Sequence, residues 1–226
     1  MPIPRSLNGN FFKTYSSSMA YVLGFFAADG NMIKNRRGGR FIAFYTKDRD
    51  LIVRVRRSLG SDHAIGEKGP LQSCYQLQIG SKEMFNDLIS LGMCPKKSST
   101  LRMPLVPSAF RGDFVRGYFD GDGCVYFKRL KFADRKKPRL VFQTIFTSGS
   151  RIFLVELHEL LRKHGVVGGS IRKKTRGFDL LLSHKDSIAL YQFMYNTVSA
   201  TDLYLPRKHR IFQKAIRVLY PHAGVV

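Results

Sequence analysis

The pattern of hydrophobic and polar positions repeats once along the chain. Short apolar stretches with the length of strands cover residues 41–45, 75–79, 140–146 and 178–182. Apolar residues at 51, 52, 55 and 59 fit one face of a helix after the first of these stretches, and a helical pattern over 147–161 follows the third. Each half is therefore predicted to contain a helix, two strands, a helix, two strands and a helix.

Each half begins with the same apolar motif, YVLGFFAADG at 21–30 and FVRGYFDGDG at 114–123. On a helix the small residues Gly24 and Ala28 lie one turn apart, as do Gly117 and Gly121. Such a stripe lets two helix backbones approach closely. The two motif helices are therefore predicted to pack against each other within one pseudo-twofold unit.

The two motifs end in Asp29 and Asp122, which this packing would bring together. Two carboxylates at the negative ends of helices repel each other, which is unfavourable for stability alone. A divalent cation relieves that repulsion, and oxygen ligands shared with a phosphate suit Mg²⁺. A single Asp-Gly pair is usually a helix end or a turn. Two matched pairs favour phosphodiester hydrolysis, whereas Asp120, which the first motif lacks, is interpreted as structural.

Composition narrows the class of partner. Lys and Arg number 38 against 16 acidic residues, which gives a net charge of +22, and 44% of the residues are hydrophobic. This predicts a globular protein with a polyanionic partner, a property that ribosomal proteins, membrane-surface proteins and nucleic-acid enzymes share. The longest apolar run, 19–28, is too short to span a membrane. A soluble, intracellular protein is expected, in a compartment that the sequence does not identify.

Cysteine and histidine spacing argues against two other classes. The three cysteines are widely separated and contain no CxxC pair, which argues against a disulfide framework and against a structural zinc site. The six histidines show no metal-ligand spacing such as HExxH. No function is assigned to either residue type.

The two motifs resemble the LAGLIDADG motif of homing endonucleases, and because both halves follow the same order the resemblance covers nearly the whole chain. The first copy departs from the family pattern at Ala27, where an acid is frequent, but keeps the final Asp-Gly. The resemblance implies an α+β fold with two pseudo-symmetric αββαββα repeats, 1–107 and 108–226, packed through a central pair of motif helices. Antiparallel sheets would form a saddle that binds DNA.

The resemblance also implies a function. It predicts a monomeric, site-specific double-strand DNA endonuclease that acts on a long, nearly asymmetric site, leaves staggered ends and spreads a mobile intron. The cofactor would be Mg²⁺ or Mn²⁺, with Ca²⁺ bound but not supporting cleavage, and the metal would be held by Asp29, Asp122, Gly30 and Gly123. The alternative is a non-cleaving DNA- or RNA-binding protein on the same fold, either a transcription regulator or an intron maturase. A basic structural RNA-binding protein is the third possibility.

A basic residue near each metal centre is a further implication of the resemblance. Lys97 and Lys208 occupy matching Pro-basic-Lys positions, taken to lie before the last helix of each half, and are the candidates for stabilising the transition state. Lys96 and Arg207 are equally suitable by position. Ordinary solvated lysines on the approach to a helix would give the same pattern.

Three basic clusters beside predicted strands are the candidate DNA surface, at 34–40, 128–139 and 172–176. Arginine can pair with guanine and glutamine with adenine, although any single residue here is better explained by phosphate contact or solvation. With the strand glutamines, the candidate DNA-contact residues are Lys34, Arg36, Arg37, Arg40, Gln76, Gln78, Lys128, Arg129, Lys131, Arg135, Lys136, Lys137, Arg139, Gln143, Arg172, Lys173, Lys174 and Arg176.

Overall fold

The computed structural model describes residues 5–69, 74–134, 136–199 and 201–221. The first repeat contains α1 (Ser17–Asp29), β1 (Gly30–Lys34), β2 (Arg40–Thr46), α2 (Arg49–Ser58), β3 (Ile65–Lys68), β4 (Cys74–Gly80) and α3 (Lys82–Ser90). The second contains α4 (Arg111–Asp122), β5 (Gly123–Leu130), β6 (Arg139–Ser148), α5 (Arg151–Arg162), β7 (Ser170–Lys174), β8 (Gly177–Ser183), α6 (His184–Tyr195) and α7 (Pro206–Leu219). Short 3₁₀ turns cover Lys97–Ser99 and Ser108–Phe110.

The predicted α+β order of both repeats is confirmed, and the second repeat adds α7 after the common pattern. Each repeat forms one four-stranded antiparallel sheet, with the strand orders β1-β2-β4-β3 and β5-β6-β8-β7. Serine side chains cap three of the helices, because Ser16, Ser81 and Ser150 each accept a hydrogen bond from the backbone N–H three residues later. Within the described ranges, no helix is long and apolar enough to cross a membrane.

Each sheet has one buried face and one open face, as alternation along a strand requires. In the first sheet the register places Met32 beside Ile42 and Phe44 beside Leu77, and all four are buried. In the second sheet Phe146 pairs with Leu180, and both are fully buried. The helices cover these faces, and no helix or strand among the described residues covers the opposite face of either sheet.

The two motif helices α1 and α4 lie at the centre of the core. Phe26 packs edge-on against Phe44 of the first sheet, at a centroid distance of 5.2 Å, and Phe119 packs in the same way against Phe146 of the second, at 5.1 Å. Because each motif helix contacts both its own sheet and the other helix, its apolar residues extend around most of its circumference.

Glycines allow these two helices to approach at backbone distance. A β-carbon added to Gly24 would lie 2.0 Å from the carbonyl oxygen of Phe114, and one added to Gly117 would lie 2.0 Å from that of Tyr21. Both distances are far below van der Waals contact, so no other residue fits at either position without moving the helices apart. The predicted packing of α1 against α4 is confirmed.

Further contacts between the repeats follow the same pseudo-symmetry. Arg54 of α2 donates hydrogen bonds to the backbone carbonyls of Asp202 and Tyr204 in the second repeat. Glu156 of α5, at the corresponding place, accepts from Arg102 and from the backbone N–H of Met103. The first repeat therefore binds the segment that follows α6, and the second repeat binds the equivalent segment that follows α3.

Candidate active site

The motif helices end at Gly30 and Gly123, whose backbone is extended, with φ near −90° and −96°. Neither glycine takes the left-handed conformation that commonly ends a helix. Glycine is needed at both positions because there is no room for a side chain. A β-carbon at Gly30 would lie 2.3 Å from the Phe26 ring, and one at Gly123 would lie 2.3 Å from the Phe119 ring. This tight turn sends the chain directly from each helix into the first strand of its sheet.

Asp29 and Asp122 are the last residues of these helices and are partly buried. A carboxylate oxygen of Asp29 lies 3.1 Å from the position of a β-carbon on Gly121, so it packs against the opposite motif helix. Burial, with the negative charge of Asp122 as the second cause, raises the pKa of Asp29 to about 7. Burial also raises the pKa of Asp122. Both acids therefore lie in an environment that disfavours two uncompensated negative charges.

Lys97 is buried, with 7% of its surface exposed, and donates a hydrogen bond to the carbonyl oxygen of Gly30. Its ammonium group also lies 5.4 Å from the centroid of the Phe26 ring. Burial lowers the pKa of Lys97, whereas the charges of Asp122 and Asp29 raise it. The ammonium group is thus held at the end of the first motif, close to both acids.

Lys208 makes a more extensive set of contacts at the end of the second motif. It is 4% exposed and donates to the carbonyl oxygens of Phe119, at 2.6 Å, Asp120, at 2.8 Å, and Gly123, at 2.6 Å. These three bonds occupy all three N–H donors of the ammonium group. Burial lowers the pKa of Lys208 to about 8. The cation therefore caps the negative end of α4.

Two expectations about these lysines are corrected by the structure. Both are buried, so they are not ordinary solvated lysines, because packing against the motif ends removes them from water. Lys97 also does not precede the last helix of its half: it lies in a 3₁₀ turn after α3, whereas Lys208 lies within the first turn of α7. Both lysines follow the last helix that the two repeats share, one in a 3₁₀ turn and the other in an α-helix, and they reach matching glycine carbonyls.

Lys96 and Arg207 were the alternative candidates that the sequence left open, and both are directed away from the motif ends. Lys96 is exposed and has a left-handed backbone, with φ of 59°. Arg207 forms a bidentate pair with Asp48 of the first repeat, at 3.0 and 2.9 Å. The structure thus brings Lys97 and Lys208 to the two motif ends, and neither Lys96 nor Arg207.

Sequence reasoning missed a buried ion pair in the second motif helix. Arg116 is 1% exposed and donates to Asp113, at 2.6 Å, and to the carbonyls of Leu203 and Met194. A charged residue directly before the close-contact Gly117, with an acid three residues earlier on the same helix, is the signal that could have found it. Asp120 is also buried, and its Oδ2 atom accepts from the Tyr21 hydroxyl at 2.7 Å.

The donor set at the motif ends fits a hard divalent cation. Asp29 and Asp122 supply carboxylate oxygens, and the carbonyls of Gly30 and Gly123 each keep a lone pair beside the lysine hydrogen bond. The raised pKa of Asp29 indicates a carboxylate pair that a cation would stabilise. No cluster of three or more His, Cys, Asp or Glu side chains that could hold a metal is present in the described part of the chain. Further ligands would therefore come from water or a bound phosphate.

The candidate DNA-contact residues divide between the two sides of the sheets. Side chains alternate between the two faces of a strand, so the buried positions show which candidates face the open side. These are Gln76, Gln78, Lys128, Arg139, Gln143, Arg172 and Lys174. On the first sheet Gln76 is hydrogen-bonded to Gln78 and to the Tyr45 hydroxyl, at 2.9 Å. Exposed positions at or beside the hairpin turns hold Arg36, Arg37, Lys131, Lys136, Lys137 and Arg176.

Four candidates alternate to the helix-covered side instead, namely Lys34, Arg40, Arg129 and Lys173. The clearest case is Arg40, which donates to Asn86 of α3 and lies 5.6 Å from the centroid of the Phe85 ring. The structure therefore does not bring Arg40 together with the open-face residues. Arg135 lies outside the described residues.

One open-face lysine lies near the acids. Lys174 forms an ion pair with Asp179, at 2.9 Å, and also donates to the Thr147 hydroxyl. Its positive charge lowers the pKa of Asp122, against the larger effect of burial. The second sheet therefore contributes a cation close to the second motif acid.

Comparisons with known proteins agree with the fold. Residues 16–88 match the family model described as a LAGLIDADG-like domain. Similar solved structures include the LAGLIDADG meganuclease I-AabMI bound to uncleaved DNA, with a TM-score of 0.63, 14% identity and coverage of 90% of both chains. I-SmaMI bound to cleaved DNA gives a TM-score of 0.60 and 14% identity, covering 91% of this chain and 89% of that one.

I-SmaMI bound to an uncleaved DNA target in the presence of calcium ions gives a TM-score of 0.58 and 13% identity, covering 91% of this chain and 92% of that one. No curated protein sequence matches the chain. The resemblance predicted from the two motifs is confirmed: the first repeat matches the LAGLIDADG-like domain family, and the chain as a whole has the two-repeat fold of LAGLIDADG meganucleases.

Proposed function

We propose that this chain is a site-specific double-strand DNA endonuclease that hydrolyses phosphodiester bonds with divalent metal ions. The observation that carries the proposal is the pairing of Asp29 and Asp122 at the ends of two helices in backbone contact, with a buried lysine on the glycine carbonyl that follows each acid. A carboxylate pair that needs compensation and two fixed cations suit a phosphate at this position. DNA cleavage by the structurally similar meganucleases supports the same assignment.

In the proposed reaction Asp29 and Asp122 would hold Mg²⁺ or Mn²⁺, with the carbonyls of Gly30 and Gly123 as further ligands. The chemistry that the metal would supply is polarisation of the phosphate and activation of water. Lys97 has one hydrogen bond in the described structure and keeps donors for a phosphate oxygen. Lys208 has none to spare, so it acts through its positive charge and by fixing the end of α4. We expect Ca²⁺ to bind without supporting cleavage.

DNA is proposed to lie along the open faces of both sheets, with the basic hairpin turns on its phosphates. The open faces combine glutamines, which suit base edges, with exposed lysines and arginines, which suit phosphates. The target is proposed to be long and nearly asymmetric because the two sheets carry different side chains. The repeats 1–107 and 108–226 are proposed to act together within one monomer.

This surface predicts a strong dependence of DNA affinity on salt. Each phosphate contact displaces counterions, so the logarithm of the binding constant falls by about 0.9 per contact for each log unit of salt. Affinity measured by fluorescence anisotropy between low and high salt should fall steeply. A flat dependence would contradict DNA binding at these clusters.

The decisive experiment for the proposed function is incubation of the purified chain with a randomised double-stranded DNA library and Mg²⁺. Sequencing of the cut ends gives the target and tests cleavage in one step. The Asp29→Asn/Asp122→Asn double variant is the matched control for a contaminating nuclease. Recovery of a common site only with the parent supports the proposal, and binding of that site without cutting would favour a non-cleaving DNA-binding protein.

A further inference from the structure

A buried polar network is present on the second motif helix and absent from the first. Arg116 and Asp120 are 1% and 3% exposed, and the corresponding positions of the first motif hold Leu23 and Ala27. Burying charged groups is costly even when they are paired. Apolar residues at these positions support the same helix packing in the first motif, so the packing itself does not require the polar pair.

Both polar residues bind the same short segment of backbone. Arg116 donates to the carbonyl of Leu203, at 3.0 Å, and Asp120 accepts from the N–H of Leu205, at 2.8 Å. Asp120 is fixed in turn by the hydroxyl of Tyr21 from the other motif helix. The chain just before α7 is therefore attached to α4 at two neighbouring points.

This attachment leads directly to Lys208. Leu205 is the N-cap of α7, and its carbonyl accepts the backbone N–H of Lys208 at 3.1 Å. The ammonium group of Lys208 then returns to the carbonyl of Asp120 itself. The side chain of Asp120 thus binds the backbone of Leu205, and the backbone carbonyl of Asp120 binds the ammonium group of Lys208.

Lys97 has no comparable support. In the described structure its ammonium group makes one hydrogen bond, to Gly30, and the 3₁₀ turn that carries it follows α3. The two lysines reach matching places, but only one of them is fixed through the motif helix.

We propose that Asp120 is a positioning residue that holds residues 203–205 against α4 and thereby keeps the Lys208 ammonium group at the end of the second motif. This deepens the proposed function, because the charge of Lys208 would then be fixed at one of the two cleavage centres. The position of Lys208 can be measured without any DNA cleavage. An experiment can therefore refute the role of Asp120 without refuting the endonuclease function, and the reverse.

The first experiment measures the rate at which a lysine-selective acylating reagent modifies Lys208, using peptide mass spectrometry. In Asp120→Ala, which introduces the residue of the first motif, we expect Lys208 to react roughly tenfold faster, while Lys97 is unchanged. Asp120→Asn keeps an acceptor for Leu205 and should retain the protection. Tyr21→Phe is the matched control, because it removes a hydrogen bond to Asp120 but leaves residues 203–205 attached.

Unchanged protection of Lys208 in Asp120→Ala would overturn the proposal, as would equally faster labelling of Lys97, which indicates general loosening. If Asp120→Ala does not fold, the double variant Tyr21→Phe/Asp120→Leu replaces it. That variant removes the carboxylate together with the hydroxyl that donates to it, keeps an apolar side chain in the space, and frees Leu205. Faster labelling of Lys208 alone is again the expected result.

The second experiment follows each DNA strand separately with end-labelled target. We expect Asp120→Ala to cut one strand about tenfold more slowly, so that nicked duplex accumulates, while Tyr21→Phe cuts both strands in the parental ratio. Equal slowing of both strands would contradict a role at one centre. A parent chain that cuts no DNA would refute the proposed function, whereas the labelling result would still decide the position of Lys208.

Discussion

The two repeats share a backbone but stabilise their motif ends differently. In the first, apolar Leu23 and Ala27 complete the helix packing, and Lys97 makes a single side-chain hydrogen bond to the described part of the chain. In the second, Arg116 and Asp120 replace them, and Lys208 uses every donor. The geometry of the centre is thus preserved where backbones touch, whereas the side chains that support it have diverged.

The same divergence extends to the clefts between the repeats. One cleft, with a volume of about 800 Å³, lies between α2 and the start of α7 and contains Arg54 and Arg57. The corresponding cleft beside α5 has Glu156 and Glu159 among its lining residues. Charge has therefore reversed at matching positions while the underlying contacts between the repeats remain.

The sharpest test of equivalence between the repeats is the loss of each acid. Asp29→Asn and Asp122→Asn should each reduce double-strand cleavage by about a thousandfold or more, because a metal ligand is lost. Specific DNA affinity should stay within a few-fold of the parent, or become tighter, since repulsion from phosphate is relieved. Single-turnover cleavage and anisotropy titrations measure the two effects. Parental cutting rates in both variants would refute the mechanism, and weak binding would indicate structural caps.

Substitutions of the two lysines should differ in their effects, whereas substitutions of the two acids should have similar effects. Lys208→Met removes a hydrogen-bond donor from three carbonyls, whereas Lys97→Met removes a donor from one, so the first substitution should lower the cleavage rate about a hundredfold and the second about tenfold. Urea unfolding should show a lower midpoint for Lys208→Met than for Lys97→Met. Equal effects on rate and midpoint would show that the additional bonds of Lys208 have no consequence.

The metal-free protein should lose stability as pH rises through the range from about 4 to 7. The pKa of Asp29 in the folded chain is about 7, against 3.8 as its ordinary value, so the folded state binds more protons than the unfolded state in that window. Metal competes with this proton, and its affinity should fall about tenfold per pH unit below 7. Urea unfolding in EDTA and metal titration at several pH values measure these changes. The Asp29→Asn variant should show a flatter stability profile.

The smallest expected effect concerns the exposed ion pairs that join the repeats. Double-mutant cycles on Asp48 with Arg207, and on Glu156 with Arg102, should give coupling energies of about 1 kcal/mol or less. Both couplings should shrink in high salt because these side chains are accessible to solvent. A coupling of several kcal/mol in one cycle alone would show that the repeats are held together asymmetrically.

Much of the fold was predictable because the decisive signals are local and repeated. The short apolar stretches at 41–45 and 140–146 predicted strands, and the small-residue stripes at Gly24 and Gly117 predicted the central helix pair, since close backbone contact needs small residues at a fixed helical spacing. The end of each motif at Asp-Gly also placed the acids correctly on their helices.

The remaining features depend on contacts between residues far apart in the chain. Lys97 and Lys208 were singled out by a Pro-basic-Lys pattern, but their burial is determined by the route of the chain after α3 and before α7, which no local signal records. Arg40 carries the same charge as its neighbours, and only the sheet register directs it towards α3. The partners of Arg116, at Met194 and Leu203, are likewise invisible to sequence periodicity.

The backbone contact at Gly24 and Gly117 has a consequence for how such an enzyme could acquire new targets. The two motif helices touch through main-chain atoms, because a β-carbon on either glycine would lie 2.0 Å from a carbonyl oxygen of the other helix. This backbone contact sets the separation of the two acids. The offset between the two proposed cuts is therefore built into the helix pair. Base recognition is proposed to reside on the open faces of the sheets, so the recognised sequence would be able to change while the proposed stagger of the cut ends stayed the same.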